Sequence, residues 1–497
     1  MSQLCLVTGA TGYIGGRLIP RLLAEGVRVR VLVRHPERIS QHPWFDQVEI
    51  VSGTADNPDV CNEALRDVDV AYYLIHAIGS AGDFEETERN TAGVFAKAAK
   101  AQNVGRIVYL GGLQNDPKLS PHLRSRAEVG NIFINSGVPT IAFGAAVIIG
   151  SGSLSFEMLR YLTERLPAMI TPRWVRTKIQ PIAVRDVLRY LTESRNLPAG
   201  LNRTFDIGGP DVLTYQKMMH GYAKVAGLRK RIILPINLLS PGLSARWIGL
   251  VTPVPKNIAR PLVDSLKTEV ICAEHDIKQY IPDPPEGLLG FEDSVAIALT
   301  RIRQANVKSR WSSASMPGEP SDPLPTDPDW AGGSLYTDDR YVPSNSTPES
   351  LWRIIEGIGG ENGWYSFPLA WETRGLIDRF FGGPGIRRGR RDPNKLLAGE
   401  IVDFWRVEEC IPGELLRLRA EMHMPGLAWL ELRVEKNDAG ETMYHQHAIY
   451  HPKGLAGHAY WWSVWPFHGF VFGSMTRNIT KAAAELDAQS KELNTAN

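Results

Sequence analysis

Close to the start of the chain, the short apolar run Leu4-Cys-Leu-Val-Thr leads straight into Gly9-Ala-Thr-Gly12-Tyr-Ile-Gly15-Gly16. An amphipathic stretch, RLIPRLLAEG, follows at once. Three glycines at this spacing, between a strand and a helix, restrict the backbone more than any other feature of the sequence. Gly9 permits a tight turn, Gly12 lets main chain approach a phosphate, and Gly15 lets the helix lie close on the strand. The helix start then offers free N–H groups and the positive end of its dipole to an anion.

The surroundings repeat the same unit. LCLVTG, VRVRVLVR, QVEIVSG, VDVAYYLIH, RIVYLGG and PTIAFGAAVIIG read as strands, with helices expected over 14–25, 60–66, 90–102 and 125–135. Continuous apolar strands alternating with helices specify βαβ units and a parallel sheet covered by helices on both faces. A glycine triplet in that setting marks a Rossmann-type dinucleotide site. Its expected cofactor contacts are Thr8, Gly9, Ala10, Thr11, Gly12, Tyr13, Ile14 and Gly15, with Ile75 and His76 after the fourth strand. Where an NAD site usually places an acidic residue at the end of the second strand, this chain has Arg34, and Arg38 one turn on. A guanidinium favours a 2′-phosphate, so NADP(H) is expected over NAD(H).

At 497 residues the chain exceeds what one core accommodates. We expect a dinucleotide-binding α/β domain with a small C-terminal lobe over 1–305, a Ser/Pro/Asp/Gly-rich linker over 306–335, and an α+β domain over 336–490. In the last, strand-like alternations (EIVDFWRVEEC, ELLRLRAEMHM, AWLELRVEK, ETMYHQHAIYH) precede a helix expected over 467–486. The net charge of +1 gives no basic footprint, so nucleic acid is not an expected partner. No basic segment leads into an apolar signal core and no apolar run reaches 18 residues, so a cytoplasmic location is expected. His445, His447, His451 and His458 lack the acidic or Cys neighbours of a metal site, and none is expected. Two features bear on membrane contact: the basic run Arg387-Arg388-Gly-Arg390-Arg391, and Trp461, Trp462, Trp465, Phe467, Phe470 and Phe472. The aromatics are expected mainly to line an apolar cavity, with peripheral membrane contact as the alternative.

TGATGYIG, VDVAYYLIH and NTAGVFAKAAK, with Asn90-Thr-Ala-Gly93 on the helix after strand four, resemble the extended and atypical short-chain dehydrogenase/reductases. The NmrA-like and complex I 39-kDa-subunit-like branches are the most similar, over residues 3 to about 300. IVDFWRVEECIPGELLRLRAEMHMPGLAWLELRVE and GLAGHAYWWSVWPFHGFVF resemble a domain of unknown function that a bacterial group of NAD(P)-binding proteins appends. It looks like a START-type helix-grip fold holding an apolar ligand.

The resemblance implies a Ser or Thr after strand five and a Tyr-x-x-x-Lys pair. Here strand five ends Tyr109-Leu-Gly111-Gly112, His122 stands at the Tyr position, and Arg126 stands at the Lys position. Two readings stay open. In one, the chain is an NADP(H)-dependent oxidoreductase with His122 as substitute acid/base and Arg126 on the cofactor. In the other it is a non-catalytic NADP(H)-binding redox sensor or assembly factor.

Overall fold

The computed structural model describes residues 3–40, 42–76, 84–115, 119–236, 265, 267–306, 335–366, 392, 394–422, 424–437 and 439–495. The chain forms two compact units, Met1–Gly333 and Ser334–Asn497.

In the first unit, β1 (Leu4–Thr8), β2 (Arg28–Val33), β3 (Glu49–Ser52), β4 (Val70–Tyr73), β5 (Arg106–Gly112), β6 (Thr140–Ala145) and β7 (Arg203–Ile207) form one parallel sheet in the order β7-β6-β5-β4-β1-β2-β3. Alternation along β1 shows why the sheet is buried twice over. Cys5 and Val7 pack with Leu18 and Leu22 of α1 (Gly15–Ala24) and Leu191 of α6 (Val184–Glu193). Leu4 and Leu6 pack the other way, with Ala64 of α2 (Pro58–Leu65) and Phe95 of α3 (Phe84–Ala101). A smaller lobe joins α5 (Leu154–Arg165), α7 (Tyr215–Val225) and α8 (Phe291–Asn306) through Phe156, Leu159, Met218, Tyr222 and Val295.

Two helices begin earlier than their apolar periodicity indicates. α3 starts at Phe84, with Glu85 and Glu86 in its first turn, where carboxylates complement the dipole. α4 (Pro121–Ile134) is capped by Ser120, whose Oγ accepts the Leu123 N–H at 3.2 Å, with Pro121 at the first helical position. That shift matters, because it turns His122 and Arg126 into residues of one helix.

The second unit is an antiparallel sheet of β8 (Tyr336–Pro343), β9 (Ile401–Val402), β10 (Trp405–Ile411), β11 (Leu415–Ala420), β12 (Gly426–Lys436) and β13 (Thr442–Pro452), ordered β8-β13-β12-β11-β10-β9. One face meets α9 (Pro348–Glu356) and α10 (Gly454–Thr495), and among the described residues this interface is a packed apolar cluster built from Leu351, Leu418, Leu432, Tyr444, Met475 and Ile479. The other face carries a cross-strand row of Glu409, Arg417, Glu431, His447 and Asp339. Arg417 lies 2.5 Å from Glu409 and 2.8 Å from Glu431. His445 sits between Asp339, at 2.5 Å, and Glu435, at 3.2 Å. The described residues contain no cluster able to hold a metal ion.

α10 corrects two expectations. It starts at Gly454 rather than Phe467, because Pro466 reads as a helix start but stands inside the helix. Of the six aromatics expected to line a cavity, Trp461 and Phe472 are buried while Trp462, Trp465, Phe467 and Phe470 are exposed. The basic run 387–391 and the linker up to residue 334 lie outside the described residues.

Asp487 joins α9 and α10. Its Oδ1 accepts from Thr347 Oγ1 and Ser350 Oγ, both at 3.0 Å, while Thr347 caps α9. Because Asp487 is buried, Asp487→Ala removes two hydrogen bonds and leaves the Ser350 hydroxyl without its acceptor, which should cost about 1–3 kcal/mol. Urea denaturation followed by tryptophan fluorescence measures this, with an unchanged midpoint as the contrary result.

Candidate functional site

In the strand order, β1 lies between β2 and β4, so the chain leaves the sheet on opposite sides of this point and opens a crevice at the strand C-termini. The glycine loop fills it. Gly9 has φ +69°, and a Cβ there would stand 2.7 Å from the Leu74 carbonyl oxygen. A Cβ on Gly15 would stand 2.2 Å from the Gly9 carbonyl oxygen. The Gly12 N–H donates to that same carbonyl at 2.9 Å, closing the turn. Behind it α1 begins with no side-chain cap and no acidic residue in its first turn. The Gly16 and Arg17 N–H groups bond to the Gly12 and Ile14 carbonyls at 3.0 and 3.1 Å, so the helix start offers an anion chiefly the positive end of its dipole. Arg17 adds a buried positive charge one turn inside, its guanidinium 4.1 Å from the Tyr13 ring and donating to the Tyr13 carbonyl at 3.1 Å. This backbone cradle, with its positive end, fits a dinucleotide pyrophosphate.

Gly9, Gly12, Tyr13, Ile14, Gly15, His76, His122 and Arg126 all line one cleft of about 350 Å³. Thr8 and Ala10 are fully buried. The Thr8 hydroxyl donates to the Tyr72 carbonyl and accepts the Leu74 N–H, both at 3.1 Å, so it stitches β1 to β4. Thr11 is half-buried and Ile75 packs against the core under α3. Arg34, directly after β2, and Arg38 are exposed, and neither pairs with an acidic group among the described residues.

Across the cleft, α3 and α4 build a group of polar side chains. The His76 and His122 rings stack at 4.9 Å and 14°. His76 Nδ1 lies 2.8 Å from Glu88 Oε1, and Ser125 Oγ donates to the other Glu88 oxygen. Arg126 donates to the Leu110 carbonyl at the end of β5, and the Tyr109 hydroxyl donates to the Arg126 carbonyl at 3.1 Å. Burial, then the charges of His76 and Arg126, push the His122 imidazole from its ordinary 6.5 down to about 3. Its Nδ1 is buried with no hydrogen-bond partner among the described residues. Burial pushes the Tyr109 phenol up to about 12. Burial of the inner face of His76 and the Arg126 charge lower that imidazole too, against the pull of Glu88.

The two glycines at the end of β5 are closely packed. A Cβ on Gly112 would stand 2.6 Å from Leu123 Cδ2, and one on Gly111 would stand 2.9 Å from the Tyr109 ring. Neither position accepts a Ser or Thr unless a buried side chain moves. Sequence reading found His76, His122 and Arg126 but missed Arg17, Glu88 and Ser125. Glu88 and Ser125 carry no motif; only the spacing of Ser125 beside Arg126, one turn from His122, hinted at a shared face.

Residues 9–135 match the family described as NAD(P)H-binding, and residues 330–475 match the one described as Protein of unknown function (DUF2867). The first unit is therefore an NAD(P)-binding Rossmann domain related to the atypical short-chain dehydrogenase/reductases, followed by a DUF2867 domain. The chain is 29% identical over 247 residues to ceramide reductase of Caulobacter vibrioides, covering 48% of this chain and 74% of that one. It is 25% identical over 256 residues to the mitochondrial NADH dehydrogenase [ubiquinone] 1 alpha subcomplex subunit 9 of Rattus norvegicus, covering 49% of this chain and 65% of that one. Among solved structures, triphenylmethane reductase of Citrobacter sp. shares the fold with a TM-score of 0.50 at 21% identity, over 60% of this chain and all of that one.

The His122 environment has a measurable signature. An imidazole that stays neutral in the fold but protonates near 6.5 when unfolded leaves the unfolded state binding more protons between about 6.5 and 3. Stability is then lost as pH falls through that window, by up to about 1.4 kcal/mol per pH unit from this residue. His122→Leu should flatten the acid limb of the thermal midpoint against pH. Superimposable acid limbs for the two proteins would refute the assignment.

Proposed function

We propose that this protein is an NADP(H)-dependent oxidoreductase that reduces an apolar, electron-poor carbonyl compound of the quinone or enone type. The observation that carries this is the character of the site: a fixed positive charge, Arg126, beside a cleft in which no group among the described residues is poised to donate a proton near neutral pH. When bound, the reduced dinucleotide supplies a hydride to the acceptor carbon. The electron pair displaced from the carbonyl moves to its oxygen, and Arg126 stabilises that negative charge without needing to titrate. The oxygen then takes its proton from water. His122, neutral throughout, contributes its ring to the cleft wall beside Arg126, stacked on His76. A simple ketone, whose alkoxide is far more basic, needs a proton donor in the transition state and suits this site poorly.

Three further points support the reading. The cleft is lined by Ile14, Leu74, Leu123, Val147, Leu154 and Met158, which suit an apolar acceptor. The relatives of the Rossmann unit include reductases. Arg34 and Arg38, free of described acidic partners at the end of β2, favour a 2′-phosphate. One observation favours the non-catalytic alternative: where the resemblance implies a hydroxyl and a Tyr-x-x-x-Lys pair, this chain has Gly111-Gly112, His122 and Arg126.

Fluorescence titration tests the cofactor. Arg34→Ser should weaken NADPH binding about 10- to 100-fold and leave NADH binding nearly unchanged, since one charge-assisted hydrogen bond is removed. Equal affinity of the native protein for the two cofactors would overturn the role of Arg34. Following nicotinamide absorbance with quinones, enones and simple ketones tests the reaction. Turnover is expected with the first two, with kcat about a hundredfold lower in Arg126→Ala. Tight NADPH binding with no turnover on any acceptor would establish the non-catalytic alternative.

A further inference from the structure

From Gly454 to Thr476 the sequence has no Asp, Glu, Lys or Arg, and this stretch forms the first half of α10. One side is anchored. Trp461 stacks on Tyr336 at 4.9 Å and on Tyr450 at 5.7 Å, and His468 packs edge-on against Trp461 and Phe472, each at 4.7 Å. The opposite side is held outward by that anchoring. Leu455 is 53% exposed, Trp462 63%, Trp465 44%, Phe467 65% and Phe470 71%. Leu455, Ala459, Trp462, Pro466 and Phe470 recur at helical spacing and form one stripe.

We propose that this face of α10 is a membrane-docking surface, lying in the plane of a lipid bilayer with Trp462, Trp465, Phe467 and Phe470 inserted at the level of the headgroups and upper acyl chains. Tryptophan and phenylalanine are the side chains that interface favours, and a rigid helix presents them without an ordering cost. Among the described residues no helix is long and apolar enough to cross a membrane, which agrees with an in-plane pose. Area argues against a second copy of the chain as occupant. At about 150–250 Å² for an aromatic side chain, the exposed part of this stripe is on the order of 600 Å², short of the ~800 Å² that each partner of a stable interface buries. The stripe also lacks charged neighbours along its own helix to form the polar rim of such an interface. Because insertion here is apolar, it should depend little on lipid charge.

The test is flotation of the full chain with phosphatidylcholine vesicles and with phosphatidylglycerol-containing vesicles, at low and raised salt. Binding to both, nearly independent of salt, with a blue shift of tryptophan emission, is expected. The variant Trp462→Ser/Trp465→Ser/Phe467→Ser/Phe470→Ser should bind about a hundredfold more weakly, and Phe470→Ser alone about tenfold. All four side chains are exposed, and unchanged NADPH affinity and circular dichroism confirm that each variant is folded. Three results would overturn the proposal. They are no binding to either vesicle, binding only to anionic vesicles that raised salt abolishes, which points to the run Arg387–Arg391, and a dimer in sedimentation that the quadruple variant dissolves.

Discussion

The first unit rests on one close approach of backbone to backbone, where the Gly9 carbonyl lies under Gly15 and the Leu74 carbonyl lies against Gly9. No side chain fits at either contact. That closeness brings the N-terminus of α1 over the end of β1 and sets β4 beside it, and the Thr8 hydroxyl locks the pair. The crevice at the strand ends follows from it. So does the position of every group around the crevice: Arg34 beyond β2, His76 beyond β4, the Leu110 carbonyl at the end of β5. A cofactor needs this geometry before any side-chain chemistry begins, because main-chain N–H groups and a helix dipole carry no entropy cost of orientation.

On the far side of the cleft the electrostatics are arranged to avoid titration near neutrality. Glu88 is buried, and its two oxygens are taken by His76 and Ser125. That fixes the His76 ring, against which His122 stacks. Desolvation and the Arg126 charge then keep His122 uncharged, and Tyr109 spends its hydroxyl on the main chain of α4. A phenol–lysine pair works by moving a proton. This arrangement instead offers a guanidinium and a neutral imidazole, and Leu123 packs closely against Gly112 at the end of β5.

Much of this was legible in the sequence, for physical reasons. A strand buried on both faces is apolar without interruption, so the parallel sheet could be read from its composition, and the glycines stand where no other residue fits. The helix starts were harder to read. The first turn of α3 is Phe-Glu-Glu-Thr, whose polarity hides a helix that its carboxylates in fact stabilise. Glu88 was invisible because burial of a carboxylate depends on partners brought together from β4, α3 and α4. In the second unit the edge strand Tyr336–Pro343, Tyr-Thr-Asp-Asp-Arg-Tyr-Val-Pro, shows no apolar alternation, so it is not among the strands expected, and only its pairing with β13 reveals it.

α10 shows the limit of periodicity most clearly. From Arg477 onward it is an ordinary amphipathic helix, with Ile479 and Ala483 in the core and charged residues such as Lys481 and Glu485 outside. Before Thr476 the helix carries no charge on any side, so the pattern cannot tell the packed side from the open one, and Pro466 suggests a boundary that is not there. The aromatic stack of Tyr336, Tyr450 and Trp461 settles which side is bound to the sheet. A helix without charges on any side is ordinarily buried on all of them, so an exposed face of this kind calls for a partner. The break in composition at Thr476 therefore divides one continuous helix by what its outer face is built for: water along the second half, and, on the docking surface proposed above, lipid along the first.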